Sequence, residues 1–397
     1  MVRGKLSGEP RYGAMVLGYD EDELTDADRE PGPEVTSKLF RRWQKAVRGR
    51  SPAEDMTNPV WRWLFRGRVD PYHANERFRS RLQKMLRRVD FPSEPRWAGC
   101  RMGQSRTELA DGRVFWIAGE HEDFYDPDFF IYNDVIIESV DGDVRIFGYP
   151  ESVFRPTDFH SATAINDGQS ILILGNVGYC DQRAVGHTPI YRLDTETLAM
   201  SGIHSTGEQP GWISDHQATL SDDGSSILVR GGKVLSDDGF LENIDDWSLS
   251  LAEFRWDRLT KRQWIRFQVA RHDGSGLHLW NYDMRKFALE YPRAGLDPED
   301  DLADEIGAEP NMEAYDSLYR PQVPYTPIDP DPEDDDDWRT KKITIDGVRV
   351  RYTDDMDQLT VTVEGDLPKA IVDSIAKDVC AKLSLVENAD CRVKWID

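Results

Sequence analysis

The residues best suited to chemistry lie in one acidic and aromatic run between residues 120 and 130. Carboxylates and an imidazole can hold a divalent cation where three or four of them converge. Aromatic side chains with an anionic rim also suit a protein-binding surface that faces a basic partner. The alternative is that the rings only pack the loop onto its own sheet. The predicted binding residues are Glu120, His121, Glu122, Asp123, Phe124, Tyr125, Asp126, Asp128, Phe129 and Phe130.

Motifs that would identify an enzyme are absent from the sequence. It contains no GxSxG, no P-loop, no HExxH and no dinucleotide-binding fingerprint. We therefore predict no catalytic residue, no metal ligand and no cofactor. A metal-assisted hydrolase or lyase, with its site near Glu120, His121 and Glu122, is kept as the alternative to a binding protein.

The charge and the cysteine content limit which partners and which cellular compartment the sequence favours. The formal charge of −24 disfavours direct nucleic-acid binding, which rests on Lys and Arg neutralising phosphates. Residues 35–96 are nevertheless basic, with 16 Lys and Arg against 6 Asp and Glu. The four cysteines form no CxxC pair, and no apolar stretch suits a signal peptide or a membrane span. These features favour a cytoplasmic protein with no membrane partner; the oligomeric state stays open.

The elements that must position the acidic run form an internal repeat of 56 residues. Segments beginning at Ser105, Ser161 and Gln217 align without gaps, and each is followed by an Asp-Gly turn. Each turn leads to an apolar strand that ends in glycine, and two further strands follow it. The pattern predicts three four-stranded β units, which bury both faces by packing against one another.

These units resemble the kelch family. The strand ending at Gly231 is followed by Gly232, which gives the family's double glycine, while Gly119 and Gly175 lack the second one. The resemblance covers roughly residues 104–270 and implies a mainly β, kelch-like β-propeller, a fold used mostly as a protein-interaction platform. Three blades are fewer than a usual ring, so degenerate blades or a bracing helical segment could complete it.

Two histidines, His160 and His216, occupy equivalent positions in the second and third repeats. Asp158 and Asp215 precede them, so a shared two-histidine site is conceivable. A position repeated in each blade is more often architectural, and Gln104 stands there in the first repeat. We therefore expect these residues to join one blade to the next by hydrogen bonds.

The predicted organisation has five parts, and the propeller carries the acidic run. An acidic, proline-containing segment precedes a last domain in which three strands, a helix and a fourth strand follow one another. The parts are residues 1–34, an N-terminal strand and loop; 35–96, a basic helical segment; 97–296, the propeller; 297–338, a linker; and 339–397, a β-β-β-α-β domain.

The function predicted from these features is non-enzymatic binding of a protein by acidic and aromatic propeller loops, and the acidic loops favour a basic partner. One specific version is an acidic inhibitor or immunity-type protein that neutralises a basic toxin or nuclease by mimicking its anionic substrate. Only the charge supports that version.

Overall fold

A computed structural model describes residues 29–79, 94–122, 129–237, 239–290, 302–329 and 340–396. The chain divides into two compact units, Met1–Lys261 and Arg262–Asp397, and each is described by itself. The predicted N-terminal strand at residues 13–18 lies outside the described residues.

The first unit contains three antiparallel sheets whose strands follow one another in sequence order, as the repeat predicts. Their first strands begin at Ser105, Ser161 and Gln217, which keeps the spacing of 56 residues. The sheets are β2 (Ser105–Glu108), β3 (Val114–Ile117), β6 (Val135–Glu138) and β7 (Val144–Gly148); β8 (Ser161–Ile165), β9 (Ser170–Leu174), β10 (Ile190–Asp194) and β11 (Met200–Gly202); and β14 (Gln217–Leu220), β15 (Ser226–Arg230), β18 (Trp247–Ser250) and β19 (Arg255–Arg258).

Shorter strands extend the sheets or form hairpins in the connections between them. Two of them lengthen the outer edges of the first and third sheets, and the others lie in long loops. They are β1 (Glu54–Asp55), β4 (Glu120–His121), β5 (Phe130–Ile131), β12 (Thr206–Gly207), β13 (Ile213–Ser214), β16 (Lys233–Ser236) and β17 (Gly239–Glu242).

Neighbouring sheets pack face to face, with alternate residues of each strand pointing to opposite sides. Phe115 and Ile117 of β3 contact the core shared with the second sheet, where Ile171 and Ile173 lie. A second core joins the second sheet to the third. The three first strands lie side by side, since Thr107 Oγ1 donates to the Ala162 carbonyl at 3.0 Å and Thr163 Oγ1 repeats this with Ala218 at 3.4 Å.

The basic helical segment covers the face of the first sheet that has no preceding sheet. Its helices are α1 (Ser37–Trp43), α2 (Pro59–Arg66) and α3 (Pro71–Phe78). Val114 and Trp116 of β3 share a buried core with Phe40, Trp61 and Trp63 from these helices. The helices therefore take the place that another sheet would occupy. Residues 80–93 of the predicted helical segment lie outside the described residues.

The third sheet ends the array with a more polar face. In β18, Trp247 and Leu249 are buried against the second sheet, whereas Ser248 and Ser250 are half-buried on the other side. A terminal repeat with a polar outer face needs no further repeat to cover it. The three sheets thus form an array with a helical cap at one end and a polar face at the other.

The second unit is a six-stranded antiparallel sheet in the order β21-β22-β23-β24-β20-β25. The predicted order of three strands, a helix and a strand is present, from Thr340 to Ile396. The strands are β20 (Ile265–Arg271), β21 (Thr326–Pro327), β22 (Thr340–Ile345), β23 (Val348–Asp354), β24 (Leu359–Val363) and β25 (Cys391–Ile396), and the helices are α4 (Leu279–Glu290), α5 (Leu302–Ile306), α6 (Met312–Ser317) and α7 (Lys369–Val386).

The boundary between the units differs from the expected one. Strand β20 lies within the range predicted for the propeller, yet it pairs with β24 and β25, and Phe267 and Val269 enter the core of the second unit. The stretch beginning at Leu277, which also lies within the range predicted for the propeller, leads into α4. The expected linker contains α5 and α6, because Leu302 and Tyr315 are buried in the same core. Among the described helices, none is long and apolar enough to cross a bilayer.

Candidate functional site

The site lies at one edge of the three sheets of the first unit. Here each second strand connects to the third, and here β8 and β14 begin. We call this edge the loop face; its described residues are 97–104, 118–122, 129–134, 149–160, 175–189, 203–216, 231–237 and 239–246. Of the predicted binding residues, Glu120, His121, Glu122, Phe129 and Phe130 belong to it.

A glycine in the left-handed conformation starts each long loop of this face. Gly119, Gly175 and Gly231 have φ values of 89°, 75° and 60°. A Cβ on Gly175 would lie 2.1 Å from the Ile213 carbonyl oxygen, so no other residue fits there without movement. These backbone angles, which glycine adopts at little cost, let the chain turn from each strand into its loop.

The three loops contact one another and form a continuous surface. The Ile131 amide donates to Tyr179 Oη at 2.9 Å, and the Phe129 and Tyr179 rings meet edge to face at 5.8 Å. On the other side, the Arg183 guanidinium lies 5.1 Å from the Phe240 ring. The middle loop therefore joins the hairpin β4–β5 of the first sheet to the hairpin β16–β17 of the third.

The loop face also carries three carboxyl groups, Glu120, Asp158 and Asp215, and Glu120 interacts electrostatically with the other two. We call these three groups the carboxyl cluster. Burial raises the pKa of Glu120 to about 8, and the neighbouring Asp158 carboxyl contributes next; the Glu122 charge and then the Asp215 charge add smaller effects. Asp158 is fully buried, and burial also raises its pKa. The Glu120 and Asp158 pair therefore holds a proton near neutral pH.

The backbone holds Asp158 firmly. The Gly178 amide donates to Asp158 Oδ1 at 2.6 Å, and the Asp158 amide donates to Asn176 Oδ1 at 3.0 Å. No amide, hydroxyl or cationic group among the described residues donates to Asp158 Oδ2, and the Asp158 carboxyl shares a hydrogen bond with the protonated Glu120 carboxyl. Loss of the Glu120 proton would remove that bond, so a donor from a ligand or water would then be favoured.

Asp215 forms the open side of the carboxyl cluster, because its side chain is exposed to solvent. Ser214 Oγ donates to Asp215 Oδ2 at 3.0 Å, and Asp215 has a left-handed φ of 54°. The repeat-equivalent residues Gly103 and Phe159 are also left-handed. Amides join the three across the sheets, since Phe159 donates to Gly103 and Asp215 donates to Phe159, both at 2.9 Å.

The two histidines beside the cluster link neighbouring sheets, as predicted. His160 Nε2 is 2.8 Å from Ser105 Oγ, and His216 Nε2 is 2.8 Å from Ser161 Oγ. Burial lowers the pKa of His160 to about 3 and that of His216 to about 4, so both rings are neutral at physiological pH. In the first repeat, Gln104 bonds instead to the Ala118 carbonyl of its own sheet at 3.3 Å.

The structure describes five of the ten predicted binding residues. Glu120 and His121 form β4, and Glu122 is exposed beside them. Phe130 lies under Arg48, whose guanidinium is 4.2 Å from its ring, and packs at the helical cap, whereas Phe129 is 40% exposed. The other predicted residues, Asp123, Phe124, Tyr125, Asp126 and Asp128, lie outside the described residues.

Sequence reasoning did not select Asp158, Asp215, Tyr179 or Arg183 as binding residues. Asp158 and Asp215 were visible as the acids beside the paired histidines, but their convergence with Glu120 depends on three different loops. In the described ranges, no group of three or more His, Cys, Asp and Glu side chains is arranged to hold a metal ion.

We expect the pH dependence of stability to show the raised pKa of Glu120. Its folded-state pKa of about 8 exceeds the ordinary value of 4.5, so the folded protein keeps a proton that the unfolded chain loses. The free energy of unfolding therefore falls as the pH rises from about 4.5 to about 8. His160 and His216 affect stability only below pH 6.5. There the unfolded chain protonates these histidines more readily than the folded protein does, so stability falls as the pH is lowered.

The window from pH 6.5 to 8 thus separates the titration of the carboxyl cluster from that of the histidines, and the pKa values of Asp158 and Asp215 are also raised by burial. Glu120→Gln should remove the fall in stability and leave the protein more stable at pH 8 by on the order of 1 kcal/mol, since Glu120 keeps some solvent contact. Urea unfolding of both proteins at several pH values measures this difference. Parallel curves for wild type and variant would show that Glu120 ionises normally.

A double-mutant cycle on His216 and Ser161 tests the link between the second and third sheets. We expect a coupling free energy of about 1 kcal/mol, because the 2.8 Å hydrogen bond is buried and each single alanine variant leaves one partner unsatisfied. Chemical unfolding of the two single variants and the double variant gives the value. Additive effects would mean that the contact contributes nothing to stability.

Comparison with known proteins finds no sequence family, and its structural matches include a β-propeller domain. No protein-family model matches the chain, and no curated protein matches it. Among solved structures, the β-propeller domain of the Trilobed protease from Pyrococcus furiosus is similar over 41% of this chain and 44% of that chain, at 14% identity and a TM-score of 0.24. The chain thus spans less than half of that structure.

Proposed function

We propose that the first unit is an open, kelch-like β-propeller segment of three blades that binds a basic protein at its loop face. The carboxyl cluster receives a lysine or arginine side chain of the partner. The observation that supports this most is the convergence of Glu120, Asp158 and Asp215 where three loops meet. The three sheets with adjacent first strands support the propeller-like arrangement.

A cationic group suits this cluster for two physical reasons. No cationic group among the described residues donates to Asp158 Oδ2, and a guanidinium or ammonium group would replace the proton that Asp158 shares with Glu120. A positive charge would also displace the proton held by Glu120, because opposite charge favours the ionised carboxylate. Binding would therefore release a proton near neutral pH and convert the cluster to its fully charged form.

The surrounding surface suits a protein partner rather than a free small cation. Phe129, Tyr179 and Phe240 lie on the loops around the cluster, and aromatic anchors of this kind dominate many protein interfaces. An acidic inhibitor or immunity-type protein that neutralises a basic toxin or nuclease is one specific form of this function.

Capture from a cell lysate tests the proposal. The full chain, immobilised at low ionic strength, should enrich a basic protein, and moderate salt should release it because screening weakens the charge attraction. Mass spectrometry identifies the captured protein. Enrichment of no protein at low salt, or capture that salt does not alter, would count against a basic partner.

A further inference from the structure

The last strand of the second unit, β25, forms one edge of the six-stranded sheet. The His272 amide donates to the Asp390 carbonyl at 2.8 Å, at the register that continues into β25. In an antiparallel ladder such hydrogen-bonded pairs alternate with unbonded ones. The peptide groups of Cys391, Val393 and Trp395 therefore point away from β20, towards the open edge.

Only part of that edge is closed by α7. Ser384 Oγ accepts from the Cys391 amide at 3.1 Å, and Cys380 Sγ donates to the Cys391 carbonyl at 3.3 Å. Val393 and Trp395 have no such partner for their edge-facing peptide groups among the described residues. An unpaired strand edge of this kind is a template for another strand.

An open groove runs beside this edge, between α7 and β25. Ala376, Cys380 and Ala381 line it from the helix, and Val393 and Trp395 line it from the strand. The Trp395 side chain is 45% exposed, although one side of its ring packs 5.2 Å from Phe267. A strand added at the edge would place every second side chain over this mainly apolar groove.

The opposite face of β25 is basic. Arg392 and Lys394 alternate with the groove-lining residues, and both side chains are exposed. A second copy pairing through β25 in antiparallel fashion would bring Lys394 close to its counterpart, and like charges opposite each other destabilise a strand pair. Charge therefore favours a strand whose second set of side chains is acidic.

We propose that this edge and groove bind an extended peptide segment of a partner protein in which apolar and acidic residues alternate. The peptide pairs its backbone with Val393 and Trp395, its apolar side chains enter the groove, and its carboxylates face Arg392 and Lys394. This site lies wholly in the second unit and does not depend on the function proposed for the first.

The test uses the full chain and a fluorescent synthetic peptide that alternates valine and glutamate, with binding followed by anisotropy. We expect saturable binding that is weakened about tenfold by N-methylation of the pairing amides, which removes backbone hydrogen bonds. A peptide that alternates valine and lysine should bind at least tenfold more weakly, and the double variant Arg392→Glu with Lys394→Glu should reverse this preference.

A matched pair of variants on α7 tests the groove. Ala381→Trp fills it and should abolish binding, whereas Ser374→Trp makes the same exchange at an exposed position of α7 that does not line the groove. Equal binding by both variants, or by the N-methylated peptide, would overturn the proposal. So would dimerisation of the full chain that the peptide disrupts, because the edge would then serve a second copy.

Discussion

Replacing Asp134 by alanine is expected to lower the free energy of unfolding of the first unit by about 3–5 kcal/mol, because it leaves a buried arginine without its counter-charge. The Arg101 side chain is fully buried and forms a two-pronged ion pair with Asp134. Trp97 Nε1 also donates to Asp134 Oδ2 at 3.2 Å, and the Arg101 guanidinium lies 3.5 Å from the Tyr132 ring. The variant removes the hydrogen bonds that Arg101 and Trp97 donate to Asp134, and it leaves the Arg101 charge beside Tyr132 without its carboxylate.

This ion pair also holds the base of the loop that carries Glu120. Arg101 Nη1 donates to the Ala118 carbonyl at 2.9 Å, and the Ala118 amide donates to the Asp134 carbonyl at 2.9 Å. We therefore expect Asp134→Ala to weaken the positioning of the carboxyl cluster as well as the fold.

Urea unfolding of Asp134→Ala beside Asp143→Ala measures the effect. Asp143 pairs with Arg62 at the surface, where its side chain is 46% exposed, so its loss should cost less than about 1 kcal/mol. Similar losses in the two variants would mean that burial of the Arg101 pair does not decide its contribution.

The second large effect is expected on partner binding. Glu120→Gln combined with Asp215→Asn should weaken binding of the captured partner by at least about tenfold, because two of the three carboxyls can no longer carry charge. Both substitutions preserve shape, and asparagine tolerates the left-handed backbone of Asp215.

The control for this variant neutralises two exposed aspartates at the opposite edge of the sheets. Asp167 and Asp222 lie in the turns that join the first and second strands of their sheets, and both are exposed. Asp167→Asn with Asp222→Asn changes the net charge by as much as the cluster variant can. Equal weakening by the two double variants would show that the partner senses overall charge rather than the loop face.

Local patterns in the sequence predicted the repeated sheets well. Asp-Gly turns and apolar runs ending in glycine are short-range signals, so the strands that begin at Ser105, Ser161 and Gln217 appear where expected. The sheet-linking role of His160 and His216 also followed from their repetition.

Long-range pairing set the limit of sequence reasoning. Strand β20 alternates as a blade strand would, and only its partners β24 and β25, far along the chain, assign it to the second unit. The acidic, proline-containing composition around α5 and α6 led to the prediction of a linker, although both helices bury apolar side chains in the core of the second unit. The carboxyl cluster could not be predicted either, because Glu120, Asp158 and Asp215 come from separate loops and their proximity depends on long-range packing.

The pH dependence of partner binding tests the central claim most directly. The affinity of the captured partner is measured at pH 6.5 and pH 8.5 for wild type and Glu120→Gln, so that titration of the partner itself cancels between them. If a partner cation displaces the Glu120 proton, wild type should bind roughly tenfold more tightly at the higher pH, relative to the variant. An identical pH dependence in the two proteins would contradict the account.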